Sequence, residues 1–183
     1  LTLEQLHSIF PLAGSQAELF FAPLTQAMQE FEINTAWRQS AFLAQVGHES
    51  AQLLYVQEPV SGRTYEGRID LGNTQKGDGI RYKGRGLINI TGRKNYSAVM
   101  KGLGIDCLDQ PELLEQPAFA ARSAAWYWKN EGLNELADDG LFIMITRRIN
   151  GAACNLSNRF ALYAAARAVL LDNEEKTSQR CLG

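Results

Sequence analysis

Apolar residues recur at helical spacing along most of this chain, and the pattern fails in one stretch. "LTLEQLHSIF" begins with Thr2 and, three residues on, Gln5. That is a reciprocal capping pair, and it predicts a short helix from Leu3 that ends before Pro11. Ser15 and Glu18 repeat the device ahead of Phe20, Leu24 and Met28, which step by four and predict a core-facing helix, kinked or restarted at Pro23. Thr35 is placed to cap a third helix running to about Leu54. On it Trp37, Ala41, Ala44 and His48 form one stripe, and Phe42, Val46, Glu49 and Leu53 form the next. Between 62 and 92 the helical period disappears. Eight of the sixteen glycines fall there, and "IRYKG" and "LINIT" have strand composition, so a small hairpin is expected. From Asn95 the helical period returns and continues through "QPAFAARSAAWYWKN", with Pro117 in a first-turn position, "LFIMITRRI" and "NRFALYAAARAVLL".

These elements predict an α+β, mostly α-helical chain. At 183 residues it reads as one catalytic domain, with a helical lobe over about 1–60 and 93–183 and a β-containing small lobe over about 61–92. No apolar run reaches membrane-spanning length, and the first thirty residues lack the build of a signal peptide. Cys107, Cys154 and Cys181 are odd in number and irregular in spacing, which fits neither a disulfide framework nor a zinc site.

Net charge is −2, but it is unevenly distributed. Residues 63 to 101 carry nine cations (Arg63, Arg68, Lys76, Arg81, Lys83, Arg85, Arg93, Lys94, Lys101) against Glu66, Asp70 and Asp78, a balance of +6, so the remainder is −8. A basic segment on an acidic body suits an anionic partner, or is simply a solvated surface.

Glu49 is the anomaly in this pattern, a carboxylate where the stripe of Phe42 and Val46 calls for an aliphatic side chain. Desolvation there would favour the protonated acid, the state a general acid needs; the ordinary alternative is a helix-end glutamate in water or beside an arginine. Glu58 lies past the helix beside Pro59, where a loop carboxylate stays ionised. Two carboxylates in opposite environments are the pattern of glycoside hydrolysis, with Glu66 of "TYEGR" in reserve for the second role. "GHES" lacks the second histidine of a zinc peptidase, and with only His7 and His48 in the chain neither a metal nor a cofactor is implied. His48 fits a supporting position beside the acid. "GDGIRYKGRGLINITG" has no phosphate-loop ending. Its amides (Asn89, then Asn95) and hydroxyls (Tyr82, Thr91, then Tyr96) suit a sugar polymer, or are ordinary hairpin polar residues.

In order, "GHES", "LYVQE", "YKGRGLINITGRKNY" and "RRINGA" resemble glycoside hydrolase family 19, in its short phage-endolysin branch, over roughly residues 37 to 170. The resemblance implies a lysozyme-like two-lobed fold and an inverting mechanism. It implies Glu49 as general acid, Glu58 as general base and Thr91 as a hydroxyl holding the attacking water. Asn95 and Asn150 correspond to substrate-binding amides, Arg148 to a basic residue near the acid–base pair, and Asn89 stands where the family has glutamine. Ala152 replaces the second glycine of the family's "INGG" turn. The implied enzyme cuts β-1,4 bonds of peptidoglycan as a monomer without stable membrane association or nucleic acid. It would be made in a host cytoplasm and act in the periplasm and wall, with a holin as functional partner. Rivals at this point are a chitinase, a lytic transglycosylase, and a non-catalytic wall-binding or nucleic-acid-binding module using the basic segment alone.

Overall fold

The computed structural model describes residues 1–151 and 155–180, with side chains through 171. Helices α1 (Leu3–Ile9), α2 (Gln16–Glu30) and α3 (Ala36–Glu49) come first. After a turn-rich stretch with the short α4 (Asp78–Arg81), α5 (Arg93–Leu103), α6 (Pro117–Asn130), α7 (Leu133–Asp138), α8 (Phe142–Asn150) and α9 (Leu156–Arg180) complete the helical body. Thr2 and Gln5 form the expected capping box, Thr35 accepts from the Arg38 N–H, and Pro117 stands at the first turn of α6. Ser15 differs from expectation: it makes no side-chain cap, and Glu18 pairs with His7 instead. Nor does Pro23 restart its helix; α2 is continuous. Pro23 cannot donate to the carbonyl of Leu19, but Leu19 is exposed, so water can satisfy it.

α3 lies at the centre, against α9 on one side and α6 and α7 on the other. Phe42 meets Trp128 of α6 edge-on, ring centroids 5.4 Å apart. The Trp128 indole donates to Asn134, whose amide donates to the Phe31 carbonyl, so the polar ends of this contact are satisfied. Gly47, one turn from the end of α3, has no room for a side chain: a Cβ would run into the Phe10 ring.

α3 ends at Glu49, earlier than its stripe suggests. Ala51, Gln52 and Leu53 all adopt left-handed backbone, with φ of 48°, 58° and 71°. Three such residues cost roughly 3–6 kcal/mol. Offsetting this, Gln52 N–H donates to Gly47 O (2.7 Å), Leu53 N–H to Ser50 Oγ (2.9 Å), Tyr55 N–H to Ser50 O (2.9 Å) and Leu12 N–H to the Gln52 side chain (3.0 Å). At about 1 kcal/mol each, plus about 2 kcal/mol for burying Leu53, these contacts balance the strain.

The expected hairpin is absent among the described residues. Pairing is limited to isolated antiparallel bridges, Gln57 with Arg85 and Arg85 with Ile90. "IRY" enters α4, and "LINI" is a tight loop closed by mutual hydrogen bonds between Arg85 and Ile90. Side chains hold this region in place of a sheet. Asn73, fully buried, accepts from the Arg93 N–H and donates to Tyr65 O. Asp78, 2 % exposed, takes the Arg93 guanidinium at 2.6 Å and the Gln75 N–H at 3.0 Å.

Two tests follow from this architecture. Ala51→Gly should stabilise the protein by about 0.5–1 kcal/mol, read as a rise in Tm of roughly 2 °C, because glycine adopts φ near 50° without penalty. Asp78→Asn should cost roughly 2 kcal/mol at pH 7 in urea unfolding. The Arg93 guanidinium holds the Asp78 carboxyl below its ordinary range. Its contribution is therefore present above the unfolded value near 4 and is lost as pH falls through the folded one, so wild type and variant should converge in acid.

Candidate active site

Glu49 closes α3 at the inner end of the α3–α9 contact. Its Oε1 accepts from Nη2 of Arg159 at 2.5 Å, and the side chains of Arg159 and Glu49 are 2 % and 13 % exposed. One turn back on α3, buried Gln45 accepts from Nη1 of Arg159 and donates to Thr146 of α8 at 2.8 Å. Next to this pair, His48 Nδ1 lies 2.7 Å from Oδ1 of Asn158. Consecutive residues of α9 thus grip consecutive residues of α3. The wall around Glu49 is accordingly not the apolar one its stripe suggests. It is the alternative reading, an arginine partner, in a buried setting.

The other oxygen of Glu49 faces the loop from Gly84 to Thr91. Asn89, at φ 55°, donates from Nδ2 to the Glu49 carbonyl at 3.1 Å and to Oε2 at 3.3 Å. Asparagine tolerates that left-handed backbone better than most residues, and its short amide reaches Glu49 directly. The same loop holds Glu58. The Gly84 N–H donates to Glu58 Oε1 at 2.5 Å, the Glu58 N–H donates to Gly84 O at 3.0 Å, and the Tyr65 hydroxyl donates to Oε2 at 2.8 Å. Burial and this carboxylate keep the Tyr65 phenol protonated above its usual range. Gly84 packs against Asn89 and Thr91: a Cβ there would stand 3.2 Å from Thr91 Oγ1 and 3.3 Å from Asn89 Oδ1. A single loop therefore fixes both carboxylates, one by backbone amide and one by side-chain amide.

The remaining candidates divide. Thr91 is half-buried and donates to Asn89 O at 2.8 Å, leaving its oxygen lone pairs to accept. Asn95, exposed at the start of α5, donates to Thr91 O at 2.7 Å. Asn150 is exposed at the end of α8. Arg148 donates to Glu131 O at 2.8 Å, and its own carbonyl accepts from Tyr127 at 3.4 Å. Burial pushes the Tyr127 phenol up to about 12, with the charges of Glu131 and then Glu49 adding to the shift and that of Arg148 opposing it.

Tyr82 and Tyr96 are 2 % and 0 % exposed, with hydroxyls donating to Leu108 O and Lys83 O. Both hydroxyls are thus committed to backbone carbonyls, and the Tyr82 ring borders a surface hollow beside Arg81 and Arg93. Glu66, the reserve for the second role, is exposed, and its oxygens accept the Gly77 and Gly79 N–H groups at 2.7 and 2.9 Å; it clasps a different loop from the one that joins Glu49 and Glu58. Ala152, Cys154 and Cys181 lie outside the described residues. Arg159, Gln45 and Tyr65 escaped the sequence reading. Arg159 carried a signal, because it opens the buried stripe of α9 formed by Leu162, Tyr163, Ala166 and Leu170.

The chitinase class I model of glycosyl hydrolase family 19 matches residues 32–164. The chain belongs to glycoside hydrolase family 19. It is thus a glycoside hydrolase whose chemistry is hydrolysis of glycosidic bonds. A family 19 domain protein of Haemophilus influenzae is 32% identical over 168 residues, covering 75% of this chain and 81% of that protein. An endochitinase of Arabidopsis thaliana is 34% identical over 147 residues, covering 79% of this chain; the chain spans half the length of that enzyme. Chitinase C of Streptomyces griseus superposes with a TM-score of 0.76 at 27% identity, covering 92% of this chain and 76% of its own. These family 19 relatives bear out the expected lysozyme-like, mostly helical fold.

The buried pair supplies the test. Arg159→Met should cost roughly 3–5 kcal/mol in unfolding experiments, because Glu49 and Gln45 lose their shared partner. Combining it with Glu49→Leu should recover a large part of that loss, since an apolar pair leaves no uncompensated charge. Strict additivity of the two costs would show that the pair is not coupled.

Proposed function

We propose that this family 19 glycosidase is an endolysin-type enzyme that hydrolyses β-1,4 bonds of bacterial peptidoglycan with inversion. The observation that carries the mechanism is the loop from Gly84 to Thr91, which bonds to Glu49 and Glu58 at once. In the proposed reaction Glu49 enters with a proton taken from solvent on Oε2, the oxygen not held by Arg159, gives it to the leaving glycosidic oxygen, and is reprotonated after turnover. Glu58 draws a proton from a water that attacks the opposite face of the sugar, which requires about 6.5–9.5 Å between the two carboxyls. Thr91 offers that water a lone pair, Tyr65 and the Gly84 amide hold Glu58 as a carboxylate acceptor, and Asn95, Asn150 and Arg148 contact the sugars. His48 acts by holding the end of α3.

The choice of polymer rests on charge. Peptidoglycan carries lactyl and peptide carboxylates, whereas chitin is neutral. Of the nine cations between 63 and 101, Arg63, Lys76, Lys83, Lys94 and Lys101 form no ion pair among the described residues. In this reading the enzyme is made in a host cytoplasm, reaches the wall with the help of a holin, and works there as a monomer.

Wild-type enzyme should clear a suspension of outer-membrane-stripped bacteria and release products with ordinary reducing ends. Glu49→Gln should lower that rate by at least about 10² when assayed below its own Tm, which should itself fall because Arg159 loses its carboxylate. Products lighter by one water would assign a lytic transglycosylase. Cleavage of chitin oligomers without loss of turbidity would assign a chitinase.

A further inference from the structure

We propose that the outer face of residues 63–81 is a second binding site, for the carboxylate-bearing stems of the wall polymer, separate from the cleft that cuts its sugars. The inference rests on the peptidoglycan reading above and concerns affinity, not chemistry.

Tracing each cation of the basic segment to its partner locates the site. Arg85 is buried against Glu115 at 2.7 Å, Arg93 pairs with Asp78 at 2.6 Å, and Arg68 pairs with Asp70 at 2.5 Å. These three are spent inside the protein or on a sequence neighbour. Arg81 donates to the carbonyls of Leu108 and Asp109 and stands 3.9 Å from the Asp109 carboxylate, which is itself 86% exposed. Of the unpaired cations, Arg63 and Lys76 fall, with Arg81, around two adjoining hollows. The larger, about 580 Å³, lies between Lys76, Ile80, Arg81 and Arg93; the smaller, about 320 Å³, lies between Arg63, Lys76 and Ile80. Lys76 and Ile80 form the ridge they share.

The acids that border these hollows are largely occupied. Asp78 is neutralised by Arg93, and both oxygens of Glu66 are taken by the amides of Gly77 and Gly79. Asp109, on the rim, stands 3.9 Å from Arg81, and Glu66 keeps its charge although its oxygens are held by amides. Arg63, Lys76, Arg81 and Arg93 against Glu66, Asp78 and Asp109 leave a balance of +1 around the half-exposed Ile80, with Arg63 and Lys76 in no ion pair, which matches a short peptide with small aliphatic side chains and free carboxylates. It is also preformed. The Glu66 clasp, the Asp78–Arg93 pair and the Arg81 contacts to the loop at 108–109 pin the segment from three directions, so binding costs little ordering of the protein. Tyr65, which holds Glu58, lies in the same turn as Arg63. A stem bound at Arg63 would thus keep the glycan strand within one turn of the proposed base.

The test uses Glu49→Gln protein, which should bind wall without digesting it, pelleted with purified peptidoglycan sacculi at low and moderate salt. Adding Arg63→Gln and Lys76→Gln should weaken retention roughly fivefold at low salt, the size expected of two exposed charge contacts, and flatten its salt dependence. Tm should not move, because both side chains are exposed. Sacculi whose free carboxyls have been amidated should hold parent and double variant equally weakly. Equal retention of parent and double variant on untreated sacculi would overturn the site. So would retention that survives amidation, which would point to wall phosphates. Failure of the peptidoglycan reading would look different: active enzyme would leave sacculi uncut, whatever these binding measurements gave.

Discussion

The contact on which this molecule turns is the one between Arg159 and Glu49. A guanidinium that is 2 % exposed, on the apolar stripe of α9, is tolerable only if a carboxylate and further acceptors meet it there. Glu49 and Gln45, one turn apart on α3, are those acceptors. Sliding α9 by a turn would leave the buried Arg159 guanidinium without its acceptors and Glu49 without its cation. The pair therefore fixes how the two longest-packed helices sit against each other, and it fixes the rotamer of Glu49 at the same time. A charge that would be a liability in the core becomes the device that aims a functional side chain.

The second carboxylate is held differently. No cation lies within salt-bridge distance of Glu58 among the described residues; a backbone N–H and a phenol hold it instead. Backbone amides can be brought that close only where the chain lacks a side chain, and Gly84 supplies that position against Asn89 and Thr91. The strained turn at Ala51–Leu53 fits the same account. It reverses the chain immediately after Glu49 and returns it, through Val56 and Gln57, to pair with residues 84–86. A continued α-helix would carry residues 51–54 straight on, and Glu58 could not reach Gly84 from there. The cost of three left-handed residues is thus tied to bringing the two carboxylates to one loop.

Much of this could be read from sequence, and the failures have physical reasons. Helices whose stripes are bounded by caps, such as α1 and α3, begin where Thr2 and Thr35 predict. Glu49 stood out because it broke a stripe, and the structure sets it between Arg159 and the loop that also holds Glu58. The partner escaped notice because the break on α9 was not set beside the break on α3; two opposite charges on two apolar stripes are a pairing signal that neither gives alone. Between 62 and 92 the strand reading failed because tyrosine and isoleucine are buried there by turns, not by a ladder. Tyr82 and Ile90 reach the core from α4 and from a closed loop, while glycines at 84 and 86 confine pairing to single residues. The partners of Glu66 were not legible for a related reason: the amides it accepts from lie eleven and thirteen residues away.

The division of labour bears on how one fold can serve different polymers. Around Glu49 and Glu58, the proposed acid and base, charge is balanced locally: Arg159 faces Glu49, and neutral donors face Glu58. On the proposed mechanism such a centre is indifferent to the charge of the polymer, because the groups that hold the two carboxylates are already matched to them. Discrimination by charge must then lie beyond that centre, where cations are left over once the scaffold has used what it needs. The residues between 63 and 101 fit that description. Arg85 and Arg93 bind the loops together, while Arg63 and Lys76 do no structural work that the described contacts reveal. Substitutions at such positions leave the buried pair and the loop that holds both carboxylates untouched, so polymer preference can change without rebuilding the machinery that cuts the bond.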